Sequence, residues 1–318
     1  MKPKVSVVVP THGRPELLSR CLAALAAQTL PRRDYEIVIV GDGPDERTRA
    51  AVESSPCGAR YVELPHQRGP AAARNAGWRA ATGEIVAFTD DDTVPAPDWL
   101  MAGLAAMSAG CDAVAGRVVM PLAAEPTDYE RDSARLADAE FVTANCFVRA
   151  AQLRAIGGFD ERFTLAWRED SDLQFELLAS GAVVRRAPLA VVVHPVRPAR
   201  WGVSLRQQRK VLFDALLYKK HRAQYRRRIR RTPRFDYYAV VAALGTAVTA
   251  FALGAAQVAA AAAVVWLALT ARLCLQRLAG TRRQWRHVGE MLVTSAVIPP
   301  LAVFWRVVGA IRFRVVLL

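Results

Sequence analysis

Short apolar runs alternate with amphipathic segments over the first third of the chain. The runs have the length of β-strands, and the segments between them place apolar side chains at helical spacing. Strands are predicted at residues 5–9, 35–40, 60–64 and 85–88, and helices at residues 16–27, 45–53 and 70–81. Because the runs are nearly continuous, both faces of the sheet should be covered. The pattern predicts an α/β domain with an open, twisted, mostly parallel sheet.

The middle of the chain continues this mixed pattern with less regularity. Helices are predicted at residues 98–108, 149–156 and 169–179, and strands at residues 113–120, 141–148 and 182–193. Residues 121–138 are polar and are predicted to be irregular. The α/β domain is therefore expected to occupy residues 1–200.

The pattern changes after this domain. Residues 201–236 are basic and carry an apolar stripe, which is typical of amphipathic helices at a membrane surface. Residues 237–271 contain no charged side chain, although roughly 20 apolar residues already suffice to cross a bilayer. A turn at Gly254–Gln257 would make this stretch a helical hairpin. One long tilted helix is the alternative interpretation.

A further apolar helix is predicted at about residues 288–309. It contains Pro299-Pro300, and its length fits a third span as well as a re-entrant or interfacial helix. The α-helical membrane region is therefore predicted at residues 237–318, with the hairpin first and this helix second.

The charge distribution supports a membrane rather than a nucleic acid as the partner. The formal net charge is +14, and after Arg200 only Asp214, Asp236 and Glu290 oppose the basic residues. The basic run Arg226–Arg231 contains no aromatic residue and precedes an apolar stretch, which argues against nucleic-acid binding and for an anionic membrane surface. Because basic clusters flank the hairpin on both sides, the α/β domain should face the cytoplasm from the cytoplasmic membrane. The five cysteines show no paired spacing, as expected for reduced thiols.

Candidate chemistry begins where the strand at residues 85–88 ends. The next residues include Asp90-Asp91-Asp92, and three unpaired carboxylates would be costly to bury. Clustered oxygen ligands suit Mg²⁺ or Mn²⁺. The alternative is a solvated acidic turn before Pro95.

Two other polar groups follow predicted strands in the same way. Pro10-Thr11 comes after the first strand and Asp42 after the second. In open α/β sheets, ligands bind beyond the carboxyl ends of the strands. These residues and the acidic triplet are therefore expected to meet at one edge of the sheet, which favours a binding site over a simple turn.

Six motifs in order give the chain a specific resemblance. They are Val5-Ser6-Val7-Val8-Val9-Pro10-Thr11, Val40-Gly41-Asp42-Gly43, Arg74-Asn75-Ala76-Gly77, Thr89-Asp90-Asp91-Asp92, Gly157-Gly158-Phe159-Asp160-Glu161 and Glu169-Asp170-Ser171-Asp172-Leu173. With them the chain resembles the inverting family-two glycosyltransferases of GT-A fold, in a membrane-anchored bacterial form. The resemblance covers about the first 200 residues and implies a Rossmann-like sheet, a nucleotide-sugar donor and Mn²⁺ or Mg²⁺.

The resemblance also implies roles for individual residues. The donor-binding residues are Pro10, Thr11, Arg14, Asp42, Arg74, Asp90 and Asp91. The metal-binding residues are Asp92 and Asp90, with His194 as a further candidate. Asp170 corresponds to the catalytic base, and Glu169, Asp172 and Trp167 lie near the acceptor. An inverting transfer needs one such base to deprotonate the acceptor hydroxyl.

Each of these roles has a structural alternative. Glu169-Asp170 could cap the helix that begins there, because acidic residues favour helix N-termini. Arg74 could lie on a solvated helix face, and His194 could be structural. Asp172 could orient its helix rather than contact the acceptor, and Trp167 could belong to the core or a pocket wall.

The predicted function is transfer of one sugar to a membrane-associated acceptor, such as a lipid-linked saccharide or a cell-envelope glycan. The Gln-x-x-Arg-Trp motif of processive synthases is absent, because Gln207-Gln208-Arg209-Lys210 does not match it. A polyprenyl-phosphate sugar synthase is the alternative within the same fold. A non-catalytic nucleotide-binding membrane protein is the alternative outside the enzyme class.

Overall fold

The computed structural model describes residues 2–108 and 110–316. The chain forms two compact units. The first consists of Met1–Pro121 and Ala134–Val196, and the second of Leu122–Ser133 and Arg197–Leu318. Residue 1 of the predicted region 1–200 and residues 317–318 of the predicted region 237–318 lie outside the described residues.

The helices and strands follow one another as the alternating pattern predicts. The strands are β1 Val5–Thr11, β2 Tyr35–Gly41, β3 Arg60–Glu63, β4 Ile85–Thr89, β5 Val94–Pro95, β6 Ala113–Val119, β7 Asn145–Arg149 and β8 Val184–Val193. The helices are α1 Pro15–Ala26, α2 Glu46–Glu53, α3 Pro70–Ala80, α4 Trp99–Met107, α5 Asp128–Ala134, α6 Ala150–Ile156, α7 Glu169–Ala179, α8 Val203–Gln207, α9 Leu212–Lys220, α10 Arg222–Gln224, α11 Phe235–Ala252, α12 Ala256–Leu278 and α13 Trp285–Phe313.

The first unit is built on an eight-stranded sheet with the order β3-β2-β1-β4-β7-β6-β8-β5. The strands β3, β2, β1 and β4 are parallel. β7 pairs antiparallel with both β4 and β6, so the sheet is mixed beyond the parallel half. The register pairs Val5 of β1 with Tyr35 of β2 and Ile85 of β4. The carboxyl ends of these three strands therefore share one edge, which confirms the predicted open α/β fold.

Both faces of the sheet are covered, as the continuous apolar strands predict. Val7 of β1 packs into a core with Leu18 and Leu22 of α1. Val8, the next residue, faces the other way into a core with the alanines of α3. α3 lies very close to β1, because a Cβ on Gly77 would be only 2.3 Å from Val8 Cγ1. The glycine of the Arg-Asn-Ala-Gly motif thus permits close helix–strand packing.

Two predicted segments differ from the structure. Residues 121–138 are not irregular throughout, because α5 and the 3₁₀ helix Arg135–Asp138 lie within them. Thr127 Oγ1 accepts from the Glu130 amide at 3.1 Å, and the Thr127 amide donates to Glu130 Oε2 at 2.6 Å. This reciprocal pair is a capping box, and its sequence signal, a threonine followed three residues later by a glutamate, is present at Thr127 and Glu130. The predicted strand at residues 141–148 begins only at Asn145, because the Asn145 amide closes a turn on the carbonyl of Val142.

The second unit contains three helices long and apolar enough to cross a membrane, among the described residues: α11, α12 and α13. α11 and α12 are joined by a tight turn in which Gly254 has a φ of +76°. Large apolar side chains on α11 and α12 are exposed, including Phe251 and Val264. The predicted hairpin at 237–271 corresponds to α11 and α12, of which α12 extends to Leu278, and α13 is longer than the predicted 288–309. That these helices cross a membrane stays a prediction.

The basic segment before α11 consists of short helical pieces rather than one helix. The side chains from Leu212 to Tyr218 of α9 are buried. Within this unit α9 packs on α13, where a Cβ on Gly309 would meet the Leu212 carbonyl at 2.5 Å. A role of residues 201–236 at a membrane surface stays a prediction.

Candidate active site

The acidic triplet follows β4, and its middle residue is completely buried. Thr11 Oγ1, at the end of β1, donates to Asp91 Oδ2 at 2.7 Å, and Arg14 Nε lies 3.1 Å from the same oxygen. Asp91 Oδ1 has no hydrogen-bond partner among the described residues. Burial raises the pKa of Asp91 to about 6, against the opposing effects of Arg14 and Thr11. The solvated acidic turn considered from the sequence is therefore wrong for this residue.

Asp90 is held by a buried cation. Arg74 Nη2 donates to Asp90 Oδ1 at 2.7 Å. Burial of Asp90 opposes its ionisation, but Arg74, and to a smaller extent His194 and Arg14, lower the pKa of this carboxyl below its ordinary value. Asp90 therefore stays ionised over the physiological pH range.

Asp92 and His194 meet at the end of the triplet. His194 Nε2 lies 3.6 Å from Asp92 Oδ1, and Arg14 Nη1 lies 3.7 Å from Asp92 Oδ2. His194 follows β8, and its amide donates to the Val119 carbonyl at 2.8 Å. One ligand atom each from Asp90, Asp92 and His194 lies within 4.8 Å of the others. Two carboxylates and one imidazole form a donor set that fits Mn²⁺ or Mg²⁺.

Asp42 follows β2 and connects this edge to the start of α3. Its Oδ1 accepts from the Arg68 amide at 2.7 Å and its Oδ2 from the Gly69 amide at 2.9 Å. The Asp42 amide donates to the Thr11 carbonyl at 2.9 Å, so Asp42 lies beside Pro10-Thr11 as predicted. Gly69 has a φ of +94°, and a Cβ there would lie 2.4 Å from the Thr164 carbonyl oxygen. The predicted contacts of Pro10 and Asp42 with a nucleoside stay predictions.

Arg74 connects two acidic groups. Besides Asp90, it contacts Glu169, with Nη1 3.3 Å from Glu169 Oε1. The Arg74 side chain is buried, and its Nε has no partner among the described residues. The solvated helix face considered from the sequence is therefore wrong, because this guanidinium lies inside the site.

The Glu169-Asp170 pair begins α7 but does not cap it. The residue before the helix, Arg168, has a φ of +76°, and no side-chain cap is formed there. Thr143 Oγ1 donates to Asp170 Oδ1 at 2.6 Å. Burial raises the pKa of Asp170, although Arg74 and Thr143 oppose that shift. A carboxyl with a raised pKa is better matched to proton transfer near neutral pH than an ordinary aspartate.

Glu169 is more deeply buried than its neighbour. Burial, reinforced by the charge of Asp170, raises the pKa of Glu169 to about 8, while Arg74 acts in the opposite direction. Glu169 Oε2 has no partner among the described residues. The two carboxyls thus face a single buried guanidinium, which favours a shared proton at neutral pH.

The remaining predicted residues flank this pair. Asp172 is buried one turn along α7, and its amide donates to the Arg168 carbonyl at 2.8 Å. Trp167 is 37% exposed, and the Arg168 guanidinium lies 4.5 Å from the centre of its ring. Their predicted roles towards an acceptor are untested.

Sequence reasoning missed two residues that organise the site. Thr143, which bonds Asp170, is a lone hydroxyl inside the apolar run at residues 141–148, and that position was the available signal. Asn75 belongs to a recognised motif but received no role. Its Nδ2 donates to the Phe159 carbonyl at 2.9 Å and to Glu161 Oε1 at 2.8 Å. Asn75 therefore fastens the loop that contains Gly157-Gly158 to α3.

Comparison with known proteins defines the class of enzyme. Glycosyltransferase AglE of Haloferax volcanii is 30% identical over 224 residues, which cover 66% of this chain and 72% of that protein. The pre-mycofactocin glycosyltransferase of Mycobacterium tuberculosis is 33% identical over 217 residues, which cover 61% of this chain and 43% of that protein. The fold matches the mannosyltransferase PcManGT of Pyrobaculum calidifontis, in complex with GDP-Man and Mn²⁺, with a TM-score of 0.57. That match has 21% identity and covers 99% of this chain and 88% of the other.

These relatives place the chain among the glycosyltransferases. The family model described as glycosyl transferase family 2 matches residues 6–168, just over half of the chain. The chain therefore belongs to glycosyl transferase family 2. The resemblance of the six motifs to family-two glycosyltransferases of GT-A fold is confirmed.

Proposed function

We propose that this enzyme catalyses an inverting, metal-dependent transfer of a single sugar from a nucleotide-sugar donor to a membrane-associated acceptor. The observation that carries the proposal is the environment of Asp170. Its carboxyl is bonded to Thr143, has a raised pKa and lies beside the Arg74 guanidinium that also holds Asp90. A proton acceptor and the donor-side carboxylates thus share one site.

Asp170 acts as the general base in this scheme. It takes the proton from the acceptor hydroxyl as the hydroxyl oxygen attacks the anomeric carbon of the donor sugar. The bond from that carbon to the diphosphate breaks on the opposite face, so the configuration inverts. Thr143 Oγ1 keeps one carboxylate oxygen of Asp170 occupied and thereby orients the other. No covalent intermediate is required.

The edge formed by β1, β2 and β4 binds the donor. Pro10, Thr11 and Asp42 lie at the nucleoside end, and Arg14 and Arg74 place positive charge near the diphosphate. Asp90, Asp92 and His194 would hold Mn²⁺ or Mg²⁺. When bound, the cation would stabilise the charge that develops on the leaving diphosphate. The GDP-Man and Mn²⁺ in the structure of PcManGT support a nucleotide-sugar donor and a divalent cation for this fold.

The second unit suggests where the acceptor resides. The three apolar helices α11, α12 and α13 support anchoring in a membrane, and the basic residues around the hairpin support a cytoplasmic orientation of the first unit. An acceptor in the same membrane, such as a lipid-linked saccharide or a growing cell-envelope glycan, would meet the enzyme without leaving the bilayer. A saccharide acceptor is also supported by the name of a relative, succinoglycan biosynthesis protein ExoM from Rhizobium meliloti, which is 30% identical over 225 residues.

The test is turnover by the full chain in detergent micelles. Nucleoside diphosphate release would be measured with a panel of nucleotide sugars and with lipid extracts as the acceptor source. We expect release to require Mn²⁺ or Mg²⁺ and the product anomer to be opposite to that of the donor. A product with the donor's configuration, or full turnover after chelation, would contradict the proposal. Bare polyprenyl phosphate as the preferred acceptor would select the synthase alternative.

A further inference from the structure

A separate cavity lies in the second unit, where α12 ends and α13 begins. It has a volume of about 230 Å³. Its walls come from the start of α5, from the segment before α8 and from both long helices. Sites for drug-sized ligands usually measure about 300–1,000 Å³. This cavity therefore suits a small chemical group rather than a whole nucleotide sugar.

The carboxylates in the wall are already paired. Asp128 Oδ2 lies 2.9 Å from Arg277 Nη2, and Glu130 Oε2 lies 3.1 Å from Arg282 Nη2. Glu290 Oε1 accepts from the Gly202 amide at 2.7 Å. The acidic residues thus stabilise the wall and leave little unpaired negative charge to attract a cation.

Arg277 is fully engaged as the central support of this wall. Its Nε donates to Asp128 at 3.0 Å, and its Nη1 donates to Thr294 and Ser295 at 2.7 and 3.1 Å. Its Nη2 lies 3.3 Å from Ser204 Oγ. Arg277 therefore fixes the shape of the cavity and has no donor to spare for a ligand.

Two other nitrogen atoms are buried without partners. His287 is 6% exposed, and its Nε2 has no hydrogen bond among the described residues. The same holds for Arg282 Nε. Both residues line the cavity. Buried polar atoms are rarely left unsatisfied, so the wall is organised for a ligand that supplies hydrogen-bond acceptors.

The charge of the cavity also favours an anion. The lining contains Arg197, Arg200, Arg277 and Arg282 against three carboxylates, and Arg200 is exposed. His287 lies in the first turn of α13, a helix of 29 residues whose N-terminus has no side-chain cap. The N-terminus of a helix attracts anions, since its backbone amides are unpaired and its dipole is positive there.

We propose that this cavity binds the phosphate head group of a membrane lipid. The lipid is favoured over a free anion because the cavity lies at the last turn of α12 and the first turn of α13, both of which are apolar enough to span a bilayer. A phosphate at this level would lie where the helices leave the hydrocarbon, with its lipid chain along their exposed apolar side chains. The proposal rests on the membrane anchoring proposed above but not on sugar transfer.

The experiment measures binding without donor or metal, so it is independent of catalysis. Farnesyl phosphate, farnesol and inorganic phosphate would each be titrated into the full chain in dodecyl maltoside micelles, with thermal stabilisation as the readout. We expect farnesyl phosphate to stabilise the protein most. His287→Phe, which removes the ring nitrogens, and Arg200→Gln, which removes the charge, should each weaken its apparent affinity about tenfold, the loss of one charge-assisted hydrogen bond.

Arg286→Gln is the matched control, because Arg286 is exposed in the same first turn of α13 and does not line the cavity. It should change the affinity less than about twofold. Equal binding of farnesol, equal binding of inorganic phosphate, or equal loss in Arg286→Gln and Arg200→Gln would each overturn the proposal. Arg200 is exposed, so its variant should fold even if the His287 variant does not. Donor hydrolysis by the same preparations reports separately on the proposed transfer reaction.

Discussion

The triplet Asp90–Asp92 and the pair Glu169-Asp170 are both carboxylate clusters at the end of a regular element, but their surroundings differ. The triplet is faced by Arg14, Arg74 and His194. The pKa of Asp90 is lowered there, while burial raises that of the central Asp91 to about 6. The pair faces one shared guanidinium, and the pKa values of both carboxyls are raised. Under the proposed function the same residue types serve different purposes, charge binding in one cluster and proton transfer in the other. Environments that separate the pKa values of neighbouring acids commonly mark acid–base roles.

The largest expected effect comes from removing the proposed base, Asp170. Asp170→Asn keeps the size of the side chain but cannot accept the proton, so kcat should fall by about 10²- to 10⁴-fold. Donor affinity, measured by equilibrium binding, should change little. Asp98→Asn is the control, because Asp98 is an exposed acid just before α4 and forms no cap. Near-normal turnover of Asp170→Asn would remove the distinction between the clusters.

The next effect should separate the metal-binding role of the triplet from the role of the pair. Asp92→Asn removes one charged oxygen from the set of Asp90, Asp92 and His194. The Mn²⁺ concentration needed for half-maximal turnover should then rise at least about tenfold, since weakening even a supporting residue of a metal site costs about 10- to 100-fold. Asp170→Asn should leave that Mn²⁺ requirement unchanged. The same Mn²⁺ response in both variants would contradict this division of roles.

A smaller effect should follow when the support of the base is removed. Thr143→Val loses the hydrogen bond to Asp170, and kcat should fall by about 5- to 10-fold. This bond lowers the pKa of Asp170, so its loss raises the pKa further. Since activity needs the ionised carboxylate, the acidic limb of the pH–rate profile should move to higher pH. Thr143→Ser keeps the hydroxyl and should restore both kcat and the position of the acidic limb. If the acidic limb of Thr143→Val does not move, Thr143 has a merely structural role.

The smallest effect concerns stability. The pKa of a glutamate side chain in solution lies near 4.5, whereas burial raises the pKa of Glu169 to about 8. The folded state thus binds this proton more tightly than the unfolded state. The resulting stabilisation is present below the unfolded pKa and is lost as the pH rises towards 8. The glutamine of a Glu169→Gln variant does not titrate, so it adds no such pH dependence to the stability.

We therefore expect the Tm of Glu169→Gln, relative to the wild type, to rise by a few degrees between about pH 5 and pH 8. Differential scanning fluorimetry of the full chain in detergent measures this directly. Glu53→Gln, at the exposed end of α2, should show a constant difference over the same range. A falling difference for Glu169→Gln would mean that its ion pair with Arg74 outweighs its burial.

Much of the site could be predicted because strand ends obey simple topology. Parallel pairing of β1, β2 and β4 brings Thr11, Asp42 and Asp90 to one edge, and the order of apolar runs was enough to expect it. Contacts across distant segments were less accessible. Arg74 and Glu169 are 95 positions apart and meet only through tertiary packing.

Local signals were also partly overlooked. The capping box of Thr127 and Glu130 is visible in four consecutive residues, yet the polar composition around it suggested a loop. Thr143 could have been noticed as a hydroxyl in an apolar run, but its partner Asp170 depends on the turn that precedes β7. Propensity and periodicity describe a segment, whereas these roles depend on what the fold places beside it.

The shared guanidinium of Arg74 has a consequence for the order of events. It bonds Asp90 on one side and Glu169 on the other. A ligand that draws the Asp90 carboxylate away leaves more of its positive field to the Glu169-Asp170 pair, which favours the ionised form there. Binding of the donor would then favour the ionised form of Asp170. We therefore expect an ordered kinetic mechanism in which the donor binds first. Under the proposed function the acceptor would be deprotonated only once the sugar that it is to receive is already bound.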